Sequence, residues 1–158
     1  MLIAVVSDTH RIDKYINVVK ENLLNVDILF HLGDNTDDVA KICEEFKGVV
    51  YAVQGNCDYG KLYPKEQLIE VCGKRIFLTH GDLYGVKYGM TNIYYRAKEV
   101  EADIVLFGHT HQKYIQEESG IIFMNPGSVS LPRLSGRYIG YIKLEEDKEV
   151  DIYFKEIT

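Results

Sequence analysis

Five short apolar runs in this chain each stop at a glycine or at a side chain able to hold a metal ion. Leu2–Ser7 runs into Asp8-Thr9-His10, and Ile28–Leu32 into Gly33-Asp34. Gly48–Val53 runs into Gly55-Asn56-Cys57-Asp58, Arg75–Thr79 into His80-Gly81, and Ile104–Phe107 into Gly108-His109-Thr110-His111. Runs this short and rich in β-branched residues read as strands buried on both faces. Ligands of open α/β sheets gather at the carboxyl ends of strands. One rule of folding therefore brings Asp8, His10, Asp34, Asn56, His80, His109 and His111 towards one edge.

The segments between these runs set the fold class. Residues 14–24 place Tyr15, Ile16, Val19 and Leu23 at helical spacing, and residues 38–46 do so with Val39, Ile42, Cys43 and Phe46, Asp37 standing as N-cap. The first third thus reads β-α-β-α-β, which predicts parallel strands with helices on their faces. Gln67–Cys72 and Arg75–Thr79 meet at Gly73-Lys74 as a hairpin, and residues 89–101 form a further amphipathic helix. Lys113–Glu117, Ile121–Met124, Tyr138–Leu144 and Val150–Glu156 are short strands, the last two alternating as antiparallel neighbours do. The expectation is an α/β protein: a layered α-β-β-α sandwich of two mixed sheets flanked by helices, built as one domain over residues 1–158.

Composition narrows the function. The net charge is −6 and no basic run is present, which argues against a grip on long nucleic acid. The longest apolar runs are about five residues, against the roughly 20 that a membrane-spanning helix needs, and no secretory leader is visible. Cys43, Cys57 and Cys72 form no CxxC and cannot all pair, so the expected address is cytoplasmic, without a membrane partner.

Seven oxygen and imidazole donors exceed the four of a tetrahedral site but suit two ions sharing one ligand. Asp34 is the natural bridge, because a carboxylate offers two oxygens. Two divalent cations against Asp8, Asp34 and a bridging hydroxide leave a net positive charge, which attracts a phosphate ester to an acidic chain. Such ions lower the pKa of water and clamp phosphoryl oxygens during in-line attack. The donor set favours transition metals, manganese first among iron, zinc, cobalt and nickel, over magnesium or calcium.

In order, Asp8-Thr9-His10, Gly33-Asp34-Asn35-Thr36-Asp37, Gly55-Asn56-Cys57-Asp58, Thr79-His80-Gly81 and Gly108-His109-Thr110-His111 resemble the signature blocks of the calcineurin-like metallophosphoesterases. With Asn125-Pro126-Gly127-Ser128-Val129-Ser130 and the short length, the chain is most similar to the small YfcE-type phosphodiesterases, over about residues 1–145. The resemblance implies one metal on Asp8, His10, Asp34 and His111 and a second on Asp34, Asn56, His80 and His109. It implies a dinuclear hydrolase of small phosphodiesters that uses a metal-bridging hydroxide, with His109, His80 and the ions stabilising the developing charge. Larger members of the family carry a histidine after the block's asparagine, where it protonates the leaving group. Here Cys57 stands there, a thiol with a pKa near ~8.5 and an indifferent donor. The catalytic set is then His109, Asn56, Cys57 and Asp58, with the acid left unassigned. A phosphomonoesterase or nuclease would use the same chemistry. The rival of another class is a binding scaffold that keeps the fold without catalysis, as a retromer subunit with this fold does. The complete ligand set favours the enzyme.

Four of the five histidines fall in these blocks. The fifth, His31, lies inside an apolar strand and reads as packed rather than ligating. Asp37 and Asp38 read as helix-start residues, which leaves Asp34 alone of its block in the site. Arg11, Asn125 and Ser128 are the candidate substrate contacts, whereas Arg133 and Arg137 read as solvated surface. Tyr84, Tyr88, Tyr94 and Tyr95 form a cluster suited to helix packing or to contact between copies in a homodimer or tetramer.

Overall fold

The computed structural model describes all 158 residues. Its elements are β1 (Leu2–Val6), α1 (Asp13–Glu21), β2 (Ile28–His31), α2 (Asp38–Ile42), β3 (Val49–Ala52), β4 (Glu66–Val71), β5 (Lys74–Thr79), a 3-10 turn at Asp82–Tyr84, α3 (Thr91–Glu99), β6 (Ile104–Leu106), β7 (Lys113–Glu118), β8 (Ile121–Pro126), β9 (Arg137–Lys143) and β10 (Asp151–Ile157). They form two five-stranded sheets, ordered β10-β9-β1-β2-β3 and β4-β5-β6-β8-β7. β1 pairs parallel with β2 and antiparallel with β9. β6 lies parallel between β5 and β8. Both sheets are therefore mixed, as the sequence predicts.

Alternation explains the continuous apolar runs. In β1, Ile3 and Val5 face the second sheet and join Phe30, Ile76, Leu78, Ile104, Leu106 and Met124 between the sheets. Ala4 and Val6 face the other way and pack with Ile16, Val19 and Ile42 of the first two helices. In β6, Ile104 and Leu106 enter the inter-sheet layer, while Val105 packs with Ile93 and Ala97 of α3. A strand covered on both faces has no polar side to spend. Each fully buried Ile or Leu contributes about 1.5–3 kcal/mol of hydrophobic stabilisation.

Several boundaries depart from the expected ones, α3 being shorter than 89–101 by two residues at each end. The helix expected over 38–46 ends at Ile42, because Phe46 folds back onto the turn at Gly48, where a Cβ would meet its ring at 2.3 Å. The helix expected over 14–24 ends at Glu21, yet Leu23 stays buried in the turn that follows. The β4–β5 turn is Cys72-Gly73, not Gly73-Lys74: both residues are left-handed (φ 48° and 73°), as a two-residue type I′ turn requires. No helix is long and apolar enough to cross a membrane.

Candidate metal centre

The five strand-end segments do converge. Asp8, His10, Asp34 and His111 each place one ligand atom within 4.8 Å of the others. His80 joins them, its Nε2 3.4 Å from Asp34 Oδ1 and 4.0 Å from Asp8 Oδ1. His109 stands beside it, Nδ1 3.2 Å from His80 Nε2. The segments approach so closely that a side chain on two of the glycines would collide with the ligands. A Cβ on Gly108 would lie 2.0 Å from Ser7 Oγ and 2.8 Å from Asp8 Oδ2, and one on Gly55 2.2 Å from Asp34 Oδ1.

Backbone contacts fix which imidazole nitrogens face inward. His80 Nδ1–H donates to the Leu32 carbonyl at 2.7 Å, and His111 Nδ1–H to the Leu131 carbonyl at 2.7 Å. A carbonyl only accepts, so in both neutral rings the proton sits on Nδ1 and the Nε2 lone pair is turned to the carboxylates. Asp8 is fully buried. Its Oδ2 accepts from Ser7 Oγ–H and from His109 N–H, but its Oδ1 makes no hydrogen bond. That oxygen lies 3.1 Å from His111 Nε2 and 3.9 Å from His10 Nε2, without an aligned donor. Lone pairs aimed at carboxylates in a water-poor site demand positive charge between them.

The titration shifts express the same demand. The His80 imidazole is pushed up to about 9: burial opposes its charge, but Asp34 and Asp8 more than offset that. His111 is raised by its contact with Asp8. Burial would raise Asp34, yet the His80 contact and the Cys57 N–H donor hold it far below the ordinary carboxylate range. His109 is lowered by burial and by its neighbour His80. The donors fit a divalent cation. His10 and His111 present Nε2 atoms 3.2 Å apart, and His80 and His109 present nitrogens 3.2 Å apart. Two imidazoles sharing one cation at about 2.1 Å each place their nitrogens roughly 3.0–3.4 Å apart.

The rest of the expected set divides. Asn56 and Cys57 lie exposed on the turn after β3, with Cys57 N–H donating to Asp34 Oδ1 at 2.9 Å. Burial and the nearby Asp34 charge raise the Cys57 thiol, which keeps it neutral. Asp58 is not free to act as a catalytic group, because its carboxylate accepts N–H donors from Asp34, Thr36 and Gly55 at 2.9, 2.7 and 2.8 Å. Asn125 and Ser128 do not line the site as substrate contacts; both are fully buried supports. Asn125 Nδ2–H donates to the Gly108 carbonyl, and Ser128 Oγ–H to the Asp8 carbonyl at 2.7 Å. Arg11 is exposed and its guanidinium engages Asp37 at 2.9 Å. Asp37 holds the N-cap position of α2 without capping it, its backbone being already helical (φ −55°, ψ −30°) where a capping residue is extended.

His31 is packed, as expected. It is fully buried, accepts Gly33 N–H on Nδ1, lies 3.2 Å from Thr9 Oγ1 and has a pKa lowered by burial to about 4. Sequence reasoning missed Asp38. This buried carboxylate accepts Thr9 Oγ1–H at 2.6 Å and Arg11 N–H at 2.9 Å, bracing the segment that carries His10. Its only sequence signal, an acid at a helix start, is common to many helices. In the tyrosine cluster, Tyr84 bonds Glu66 and Tyr94 packs on Phe123, while Tyr88 and Tyr95 are exposed.

Known proteins resemble this chain in sequence and in fold. The model of the calcineurin-like phosphoesterase superfamily domain matches residues 1–149. The chain is 34% identical over 135 residues to a Bacillus subtilis protein named probable metallophosphoesterase YsnB, covering 85% of this chain and 78% of that one. It is 32% identical over 120 residues to phosphodiesterase YfcE of Escherichia coli, covering 68% of this chain and 60% of the relative. Among solved structures, a Streptococcus pneumoniae protein described as a predicted phosphoesterase superposes with a TM-score of 0.83 at 30% identity, over 98% of this chain and 88% of its own. Vps29 of Entamoeba histolytica, at 18% identity and a TM-score of 0.79 over all of both chains, shares the fold.

Proposed function

This chain belongs to the calcineurin-like phosphoesterase superfamily, and from that premise we propose that it is a hydrolase of small phosphodiesters that works with two divalent transition-metal cations, manganese foremost. Asp8, His10, Asp34 and His111 would hold one cation, and Asp34, Asn56, His80 and His109 the other. When bound, the cations lower the pKa of water and neutralise phosphoryl charge. The observation that carries the reading is the buried Asp8 Oδ1, ringed by imidazole nitrogens with no hydrogen bond of its own.

The chain's own groups prepare the site. The Leu32 and Leu131 carbonyls hold His80 and His111 in the tautomer whose Nε2 faces inward. Fixed tautomers spare the reorganisation that a free imidazole would undergo on binding. The exposed turn at Asn56 and Cys57 would give a phosphodiester one approach to the centre. Cys57 holds its proton there and is the donor that this turn would offer a departing alkoxide, although a thiol is a weak acid for that task. Three unpaired cysteines accord with a reducing, cytoplasmic setting.

Hydrolysis of bis(p-nitrophenyl) phosphate with added manganese, against the same protein in chelator, tests the reading. Turnover is expected with manganese alone, whereas a binding scaffold would show none in either arm. Asp34→Ala is expected to abolish turnover and to lower the manganese bound per chain. Full activity in that variant would remove Asp34 from its bridging role.

A further inference from the structure

Asp58 joins two segments that carry metal-centre residues, and it does so through their backbones. Gly33, Asp34 and Asn35 are successively left-handed, with φ of 98°, 61° and 63°. Such a run aims N–H groups into one concavity, an arrangement that elsewhere cradles anions. Here the anion is internal. Asp58 Oδ2 accepts Asp34 N–H at 2.9 Å and Gly55 N–H at 2.8 Å, while Oδ1 accepts Thr36 N–H at 2.7 Å. The contact is reciprocal, since Cys57 N–H, one residue before Asp58, donates to the Asp34 side chain at 2.9 Å. Gln54 Nε2–H donates to the Asp58 carbonyl and closes the turn from the other side.

We propose that Asp58 is a positioning residue: its carboxylate fills the backbone cradle of residues 33–36 and thereby sets the aim of Asp34 and the placement of Asn56 toward the cation they share. The proposal rests on the metal-centre reading above. Its physical basis is the gap between a preorganised donor set and one that must be ordered on binding. Without Asp58, the Asp34, Thr36 and Gly55 N–H groups lose their charged acceptor, and the left-handed run 33–35 loses the anion that gathers its N–H face. Each left-handed residue other than glycine then tends to relax, and Asp34 turns with its backbone. Outer contacts of this kind are worth roughly 10–100-fold in metal affinity.

The test compares wild type, Asp58→Asn, Asp58→Ala and the longer carboxylate Asp58→Glu by manganese titration of the metal-free proteins, without substrate. Amide exchange at Asp34, Thr36 and Gly55 is measured in parallel. Asp58→Asn and Asp58→Ala are expected to bind manganese on the order of 10–100-fold more weakly and to lose protection at those three amides. Asp58→Glu is expected to recover part of both. In turnover, the defect should shrink as manganese is raised towards saturation. Folded variants that bind manganese as wild type does would overturn the proposal. So would a turnover loss that saturating manganese leaves untouched, the sign of a proton-donating Asp58. A wild type that binds no manganese fails at the metal centre itself, and that result is distinct from wild-type affinity in the variants.

Discussion

Left-handed backbone collects at two ends of this molecule for opposite reasons. Away from the metal centre it makes the hairpin tips: Cys72-Gly73 between β4 and β5, and Ser119-Gly120 (φ 52° and 78°) between β7 and β8. These turns are local. The right-handed twist of the paired strands selects a type I′ turn, which demands two left-handed residues and nothing from the rest of the chain. At the metal centre, Asp8, His10, Asp34, His109 and His111 have φ between 49° and 68° and belong to no hairpin. They are held by distant partners, as Asp8 is by its N–H donation to the Gly33 carbonyl and by Ser128. The tips spend glycine on a turn, whereas the centre spends tertiary contacts on aim. Asp and His, with Asn, are the side chains other than glycine that tolerate this region best, so the residues the chemistry needs are those the geometry penalises least.

The contrast breaks most sharply at two glycines. Gly108→Ala is expected to lower turnover by about 10²-fold or more, because its Cβ must displace Ser7 Oγ from 2.0 Å and Asp8 Oδ2 from 2.8 Å. Gly120→Ala meets no atom within 4 Å, so it should cost only about 1–2 kcal/mol of left-handed strain and leave turnover unchanged. Steady-state rates and urea midpoints of both variants decide the matter. Equal turnover in the two would mean that close approach at Gly108 is not what aims Asp8.

Acid is expected to loosen the centre before the tips. His31 accepts Gly33 N–H on Nδ1, so protonating that nitrogen sets two donors against each other beneath Asp34. Burial lowers the folded-state pKa of His31 from 6.5 to about 4, against opposing pulls from Asp58, Asp8 and Asp38. The unfolded chain therefore binds the proton first. The stabilisation is whole above pH 6.5 and drains as pH falls towards about 4, by roughly 3 kcal/mol if the full shift is felt. Urea unfolding of metal-free protein between pH 7 and 4 should show the slope, and His31→Gln should flatten it. In exchange measurements the Gly33 amide should lose protection across that range while amides flanking Gly120 hold theirs. An unchanged slope in His31→Gln would assign the acid loss elsewhere.

How far this was legible in the sequence follows from the same contrast. Residues that act through their own chemistry announce themselves: Asp8, Asp34, His80, His109 and His111 are recognisable by type and by position after an apolar run. Residues that act on backbone atoms do not. Asp58 grips three N–H groups, Ser128 the Asp8 carbonyl, and Asn125 the Gly108 carbonyl. Nearly every residue offers such atoms, so no second side chain in the sequence marks the pairing. Asn125 and Ser128 therefore read as substrate contacts, and Asp58 as one of the catalytic set. The strands were legible because burial on both faces leaves an apolar run, and helix ends were not, because Phe46 folding back onto Gly48 sets one and such a turn leaves no periodicity.

The smallest effect is expected where structure is most local. Asn is favoured over Ser at the first left-handed position of a type I′ turn, since its side chain tolerates φ > 0. Ser119→Asn should therefore stabilise the protein by about 0.5 kcal/mol. The gain is partly offset by the bond from Tyr94 Oη–H to Ser119 Oγ, an exposed contact that water replaces cheaply. Turnover and manganese affinity should not move. Asp34→Asn makes the matching change at the other end: asparagine is equally at ease with φ of 61°, but the charge is lost. If left-handed propensity alone governed both places, Asp34→Asn would be silent in manganese titration too. A rise in urea midpoint for Ser119→Asn beside weakened manganese binding for Asp34→Asn would separate a residue chosen for its backbone from one chosen for its charge.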